Sequence, residues 1–211
     1  QGYRVDVILP RTKDYNEDLC RYAELHNMPD LPLRLPTEKE NKAAYTYLTE
    51  KLGIAPEIVT TLINKNYICS DAENVSFVGH NRGGSPVYSY SVSINDNSVS
   101  VSGSTKNSFY LKGYDKSKVI VYKSPIDLLA DATMSNLTFR SKREWLNSTR
   151  LSLVGTDDTA LQNFLAENPD INQICFQLGG EEIDIETSRH FLQKYSDKGY
   201  SCTGFQSVGQ S

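Results

Sequence analysis

Hydrophobic positions along the 211-residue chain change their period twice, and each change marks a different kind of structure. Tyr3 to Pro10 alternates and then runs apolar through Val5, Val7, Ile8 and Leu9 before a proline stops it, which predicts a strand. A helix is expected next, capped by Asp14 or Asn16 with Leu19, Tyr22 and Ala23 at helical spacing, and the prolines of Asn27 to Pro32 mark a linker. From Thr37 the period is helical: Thr37 can cap, Glu40 stands three residues on as in a capping box, and Ala44, Tyr45, Leu48 and Leu52 form a stripe that ends at Gly53. Ala55-Pro56-Glu57 opens a second helix with Ile58, Leu62 and Ile63 inward, so residues 37–66 predict a helical hairpin.

After Asp71 the period becomes two. Val75 and Phe77, then Val87 to Ile94, flank a glycine-rich turn at Gly79 to Gly84, and Asn95-Asp96-Asn97 precedes Val99-Ser100-Val101. An antiparallel meander with a serine-lined outer face is expected. From Lys118 short apolar runs alternate with helical ones: Val119 to Tyr122, then Ile126, Leu128, Leu129 and Ala132; Leu151 to Val154, then residues 158–167; Ile174 to Leu178, then residues 184–197. Strand–helix repetition of this kind signals a mainly parallel α/β sheet, whose ligands sit beyond the carboxyl ends of the strands. Chemistry is therefore sought just after Tyr122, Val154 and Leu178. Near the end, Gly199-Tyr200-Ser201-Cys202 resembles Gly2-Tyr3-Arg4-Val5 as a glycine–tyrosine lead into a strand.

Composition narrows the functional classes. Apolar residues make up 38%, with 7 Phe and 13 Tyr, enough for a real core. The 22 basic and 26 acidic residues leave a net charge of −4, spread as a mild acidity over residues 1–25, 26–115 and 116–211 alike, so any contact with a phosphate backbone is local. No apolar run approaches the ~18 to 20 residues of a membrane helix and no signal peptide opens the chain, which makes a cytoplasmic protein without membrane partners the expectation. Cys20, Cys69, Cys175 and Cys202 are far apart, without a C-x-x-C pair, and are expected as reduced thiols. Three N-x-S/T sequons are what a chain rich in Asn, Ser and Thr produces by chance. His26, His80 and His190 lie in separate segments and are expected at the surface. No nucleophile elbow, Walker loop or dinucleotide fingerprint is present.

The strand-end residues read Lys123-Ser124-Pro125-Ile126-Asp127-Leu128-Leu129 after the first strand, Leu151-Ser152-Leu153-Val154-Gly155 through the second and Leu178-Gly179-Gly180-Glu181 after the third. This resembles the Toprim domain of topoisomerases and bacterial primases, in the form found in primase-like and relaxase-associated proteins of mobile elements. That family carries a pattern near V-F-E-S-P-I-D-L-L, then L-S-L-G-G, then L-D-N-D. Upstream, Leu35-Pro36, Ala44-Tyr45-Thr46-Tyr47-Leu48, Gly53-Ile54, Phe77-Val78-Gly79 and Gly103-Ser104-Thr105-Lys106 resemble the leader domain of those proteins. Residues Val5 to Leu19, with Pro10 and Lys13-Asp14-Tyr15-Asn16-Glu17-Asp18-Leu19, resemble the strand, proline and K-D-Y-N-E-x-L ending of a Toprim domain. An α+β leader followed by a Toprim-like α/β domain is thus implied. The expected division is 1–25 as the tail of a preceding Toprim unit of a larger tandem protein, 33–115 as the leader, and 116–211 as the Toprim-like domain. Docking of the N-terminal strand and helix on the same sheet is the alternative.

The resemblance implies metal-assisted phosphoryl chemistry, yet the acidic positions are changed. Toprim chemistry needs hard oxygen ligands for Mg²⁺. Lys123 stands where the family has glutamate and Gly179 where it has the first aspartate, leaving Asp127 and Glu181 with Glu182 and Asp184 near. A lysine ammonium repels a dication, so the expectation is a pseudoenzyme: a non-catalytic DNA-replication-type module without cofactor, binding DNA or a protein partner. The alternatives are an active primase or nuclease holding Mg²⁺ on Glu181, Glu182 and Asp184, and an interaction scaffold that touches no nucleic acid. For Glu181, Glu182, Asp184 and Glu186 the plainer role is the acidic first turn of a helix. Phe139, Arg140, Lys142, Arg143, Trp145 and Arg150 form one basic and aromatic cluster, with Lys106 and Lys112 a second candidate for nucleic-acid contact; a solvated loop and helix face is the plainer role.

Overall fold

The computed structural model describes residues 41–141 and 143–204. The N-terminal strand, helix and linker, the Thr37 cap and Lys142 lie outside the described residues.

Helix α1 (Asn41–Thr46) widens into a π-type turn over Tyr47–Lys51, where the Leu52 amide donates to the Tyr47 carbonyl at 3.1 Å. Gly53, at φ +71, reverses the chain, and Pro56 starts α2 (Pro56–Asn64) at the position where its missing N–H costs nothing. This hairpin packs on a four-stranded antiparallel sheet of β1 (Ile68–Ser70), β2 (Asn74–His80), β3 (Pro86–Ser93) and β4 (Val99–Gly103), in that order. Phe77 faces Tyr90 and Val75 faces Val92 in the register that the alternation requires. The serine row is solvated only in part: Ser100 on β4 is exposed and Ser91, Ser93 and Ser102 are half-buried. Ser76 and Ser89 are buried, and the Ser91 hydroxyl lies 2.8 Å from Ser76 across the strands and 3.2 Å from Ser89 along β3, so the buried hydroxyls find partners within the row.

The second sheet contains β5 (Tyr110–Leu111), β6 (Asp115–Tyr122), β7 (Ser148–Ser152), β8 (Gln173–Gln177) and β9 (Ser201–Gly204), in the order β5-β7-β6-β8-β9. All neighbours are parallel except β5, which runs antiparallel to β7. Helices α3 (Pro125–Thr138), α4 (Thr159–Glu167) and α5 (Glu182–Ser196) make the crossovers. The expected strand at Leu151 to Val154 is shifted: β7 begins at Ser148, and Val154 stands exposed beyond it in a single bridge to Asp157.

Alternation along β6 splits the core. Val119 and Val121 face α4 and α5, packing with Leu151, Leu161, Phe176, Phe191 and Tyr195. Tyr122 faces the other way, toward α3, where Leu128, Leu129 and Ala132 meet Ile58, Phe77 and Trp145 in one apolar cluster that joins the hairpin, the antiparallel sheet and α3. Burying one such large side chain contributes about 1.5–3 kcal/mol. A hydrogen bond from the Ala55 amide to Thr133 Oγ1, at 3.1 Å, ties α2 to α3.

Candidate functional site

With β7 on one side of β6 and β8 on the other, the chain reverses its direction of travel across the sheet at β6, and the crevice of such a sheet opens beyond that strand. A cleft of about 550 Å³ lies there. Its floor is built by Lys123 and Ser124 after β6, Val154 and Gly155 after β7, and Gly179 to Glu181 after β8. Tyr90 and Val99 of the antiparallel sheet close one wall, two residues that the sequence alone did not connect to the strand ends.

Each residue at the strand ends has a local reason for its position. Ser124 caps α3: its Oγ accepts from the Asp127 amide at 3.2 Å and donates to the Asp127 carboxylate at 2.7 Å. Asp127 is thereby held at the helix start, on the rim of the cleft. Glu181 is the cap residue of α5, and Glu182 and Asp184 occupy its first turn, where carboxylates complement the helix dipole. Glu182 and Glu186 are exposed, whereas the Asp184 side chain is only 5% exposed and aims into the cleft.

A buried carboxylate needs a partner, and Lys123 supplies it. Its Nζ lies 3.0 Å from Asp184 Oδ1, 3.1 Å from Asp184 Oδ2 and 3.1 Å from Glu181 Oε2. The hydrogen bonds to Asp184 and then Glu181 raise the Lys123 ammonium above its ordinary 10.5, against a small opposing effect of burial. Burial raises the Tyr90 hydroxyl as well, with the Asp127 charge adding and the Lys123 charge opposing.

Gly179 is fixed by the same pair. Its φ is +129, and a Cβ built on it would stand 2.5 Å from Asp184 Oδ2. An aspartate at this position therefore collides with the carboxylate that Lys123 holds. The donor set does not fit a divalent cation: two carboxylates converge on an ammonium that has three protons to give and no lone pair, and among the described residues no group of three or more His, Cys, Asp or Glu is placed to hold a metal.

The basic and aromatic cluster is divided. Arg140, at φ +51, and Arg143 are exposed, and Phe139 is 66% exposed. Trp145 and Arg150 are inside. Arg150 is 2% exposed, and its guanidinium donates to Asp131 at 2.8 Å, to Ser135 Oγ at 2.9 Å and to the backbone carbonyls of Trp145 and Ser148. Arg150 is thus removed from the candidate phosphate contacts, because its donors are spent on internal acceptors. Lys106 is exposed in the loop after β4, well separated in the chain from Arg140 and Arg143. His80 corrects another expectation: its Nδ1 is buried without a hydrogen-bond partner, and its ring lies 4.8 Å from that of Tyr67.

No family model matches the chain, and no curated protein matches it. Among solved structures, the primase fragment of the bacteriophage T7 primase-helicase protein is similar at a TM-score of 0.55 and 17% identity, over 75% of this chain and 63% of that one. The DnaG primase catalytic domain bound to single-stranded DNA gives a TM-score of 0.45 and 14% identity, over 90% of this chain and 64% of that one. The E. coli primase catalytic core gives 0.42 and 12%, over 90% and 66%. The chain spans less than two thirds of the T7 fragment it matches. The likeness to that fragment is one of fold, and it supports a Toprim-like arrangement: a mixed α/β chain with an antiparallel sheet and a second sheet built around parallel strands. No helix among the described residues is long and apolar enough to cross a membrane.

Proposed function

We propose that this chain is a primase-like, Toprim-type DNA-processing module, of the kind found in mobile-element proteins, whose strand-end cleft has lost metal-assisted catalysis and serves binding. The observation that carries the reading is Lys123. Its ammonium occupies the point where Glu181 and Asp184 converge, the position at which a cation is needed to draw two carboxylates together. An internal monocation offsets one of the pair's two negative charges, but offers neither a Lewis acid nor a site for a bound water. Gly179 reinforces the loss, since a side chain there would be strained at φ +129 and would meet the Asp184 carboxylate. The T7 primase fold supports the nucleic-acid context, and the exposed Arg140 and Arg143 supply local positive charge on a chain of net charge −4.

Calorimetric titration of the full chain with Mn²⁺ and Mg²⁺, beside a salt-dependent titration with single-stranded DNA, tests this reading. The expected result is no stoichiometric metal uptake together with DNA binding that weakens as salt rises. One Mn²⁺ bound per chain, lost in Glu181→Gln and Asp184→Asn and accompanied by primer synthesis or cleavage, overturns the loss of catalysis. Absence of any salt-sensitive DNA binding overturns the nucleic-acid role and leaves the interaction scaffold.

A further inference from the structure

At the opposite end of the parallel sheet, around the start of β6 and β7 and the loop before β8, lies a larger cleft of about 690 Å³. It falls within the size range of small-ligand sites. Two aromatic pairs form its apolar wall: Tyr67 with His80, and Tyr110 with Phe164, the latter at a ring-centroid distance of 5.1 Å. Lys65, Lys112 and Lys116 stand on the rim from three separate elements, all exposed, and none has an ion-pair partner among the described residues. The rim carries two carboxylates, Glu167 and Asp170, and Glu167 is already engaged by Arg82, whose Nε lies 3.6 Å away and whose guanidinium also donates to the Glu167 carbonyl.

Three unpaired ammonium groups facing one concavity repel one another, and an acidic protein gains nothing in stability from collecting them. Their arrangement fits a ligand that brings its own negative charge. The half-buried rings of Tyr67, His80 and Tyr110 and the buried ring of Phe164 fit a flat π-face. Burial lowers the His80 imidazole, against a smaller opposing effect of a hydrogen bond to the Val78 backbone, so the ring adds no positive charge to the wall near pH 7.

We propose that this second cleft binds a nucleoside phosphate, with the base against the Tyr67/His80 and Tyr110/Phe164 wall and the phosphates met by Lys65, Lys112 and Lys116. The ligand is a free nucleotide or one nucleotide of a single strand, which share this chemistry. The site is on the opposite end of the sheet from Lys123 and needs no metal, so the proposal stands whether or not the strand-end cleft has lost catalysis.

Calorimetry in EDTA, with dATP as one probe and a short oligothymidylate as the other, tests it on the full chain. Saturable one-to-one binding is expected, weakened at least tenfold in Lys112→Gln/Lys116→Gln and unchanged in Lys42→Gln/Lys198→Gln, which removes the same charge elsewhere. Lys65→Gln, just after α2, is a second variant that weakens binding independently of the first pair. Equal affinity for the two probes assigns the free nucleotide. Oligothymidylate binding at least tenfold tighter assigns the strand, and its logarithmic salt slope is about −2 if three phosphates are neutralised. Failure of both probes to bind at millimolar concentration overturns the proposal, as does binding by the Lys112→Gln/Lys116→Gln chain that equals that of the unaltered protein.

Discussion

Two lysine–carboxylate clusters in the α/β half of the molecule use the same chemistry for different ends. In the first, Lys123 joins Asp184 and Glu181 at the floor of an open cleft; the lysine side chain is 38% exposed and the glutamate 75%. In the second, Asp158 at the start of α4 accepts from Lys194 at 2.6 Å, from the Tyr195 hydroxyl at 2.8 Å and from Gln162 at 2.8 Å, and it is buried. The second cluster leaves no face of the carboxylate open and clamps α4 to α5. The first keeps its charges where a ligand can reach them. Satisfied burial marks a structural device, and partial exposure at a strand-end crevice marks a candidate site.

Breaking the clamp has the largest expected effect. Asp158→Ala strands the buried Tyr195 hydroxyl and the Lys194 ammonium, and costs about 3 kcal/mol, or about 6–12 °C in Tm. A thermal unfolding scan checks this; a change under about 1 kcal/mol means that water already satisfies the cluster. At the open cluster the corresponding disruption is Gly179→Asp. It forces a side chain into a positive-φ position and against Asp184, and costs about 2 kcal/mol in urea unfolding without creating Mn²⁺ uptake. Tight Mn²⁺ binding by that variant would show that the β8 end relaxes readily and that one acid is enough to create a metal site.

The contrast between these clusters was only half legible in the sequence. Hydrophobic period identified the hairpin, the meander and the three parallel strands because the short apolar runs at Val119 to Tyr122, Leu151 to Val154 and Ile174 to Leu178 alternate with helical spacing. It missed β1 and β5, which are 3 and 2 residues long, too short for any period to register. It placed the serines of β2 and β3 outside, since alternation shows which residues share a face but not what covers that face. Lys123, Gly179, Glu181 and Asp184 were found from their places after the strands, because a parallel sheet brings those ends together whatever the loops contain. The Asp158 clamp was invisible: its partners lie 36 and 37 residues away, and no local pattern joins them. Arg150 was misread for the same reason, since a basic residue in a basic stretch gives no sign that Asp131 and two carbonyls consume it.

The two clusters also answer to opposite ends of the pH scale. Burial works to raise the Asp158 carboxyl, but the hydrogen bonds from Lys194, Tyr195 and Gln162 outweigh it and hold the group below its ordinary 3.8. A depressed carboxyl stabilises the fold fully above its unfolded value and loses that contribution as pH falls through the folded one. Lys123 is raised above 10.5, so its contribution is complete below the unfolded value and is lost as pH rises through the folded one. Lys123→Met therefore costs about 1–2 kcal/mol at pH 7, discounted from a fully buried pair because water reaches the lysine and Glu181. Its gap to the unaltered protein narrows at strongly alkaline pH, where Lys123 is itself deprotonated, and stays open on the way down to pH 5. Lys194→Met shows the reverse, a gap that is full at pH 7 and closes only below about pH 4, as Asp158 takes up its proton. Urea midpoints of the three chains at about pH 3, at pH 7 and well above 10.5 separate the two cases. A Lys123→Met gap that does not narrow well above 10.5 would show that Lys123 stabilises the fold through the packing of its alkyl stem and not through its charge.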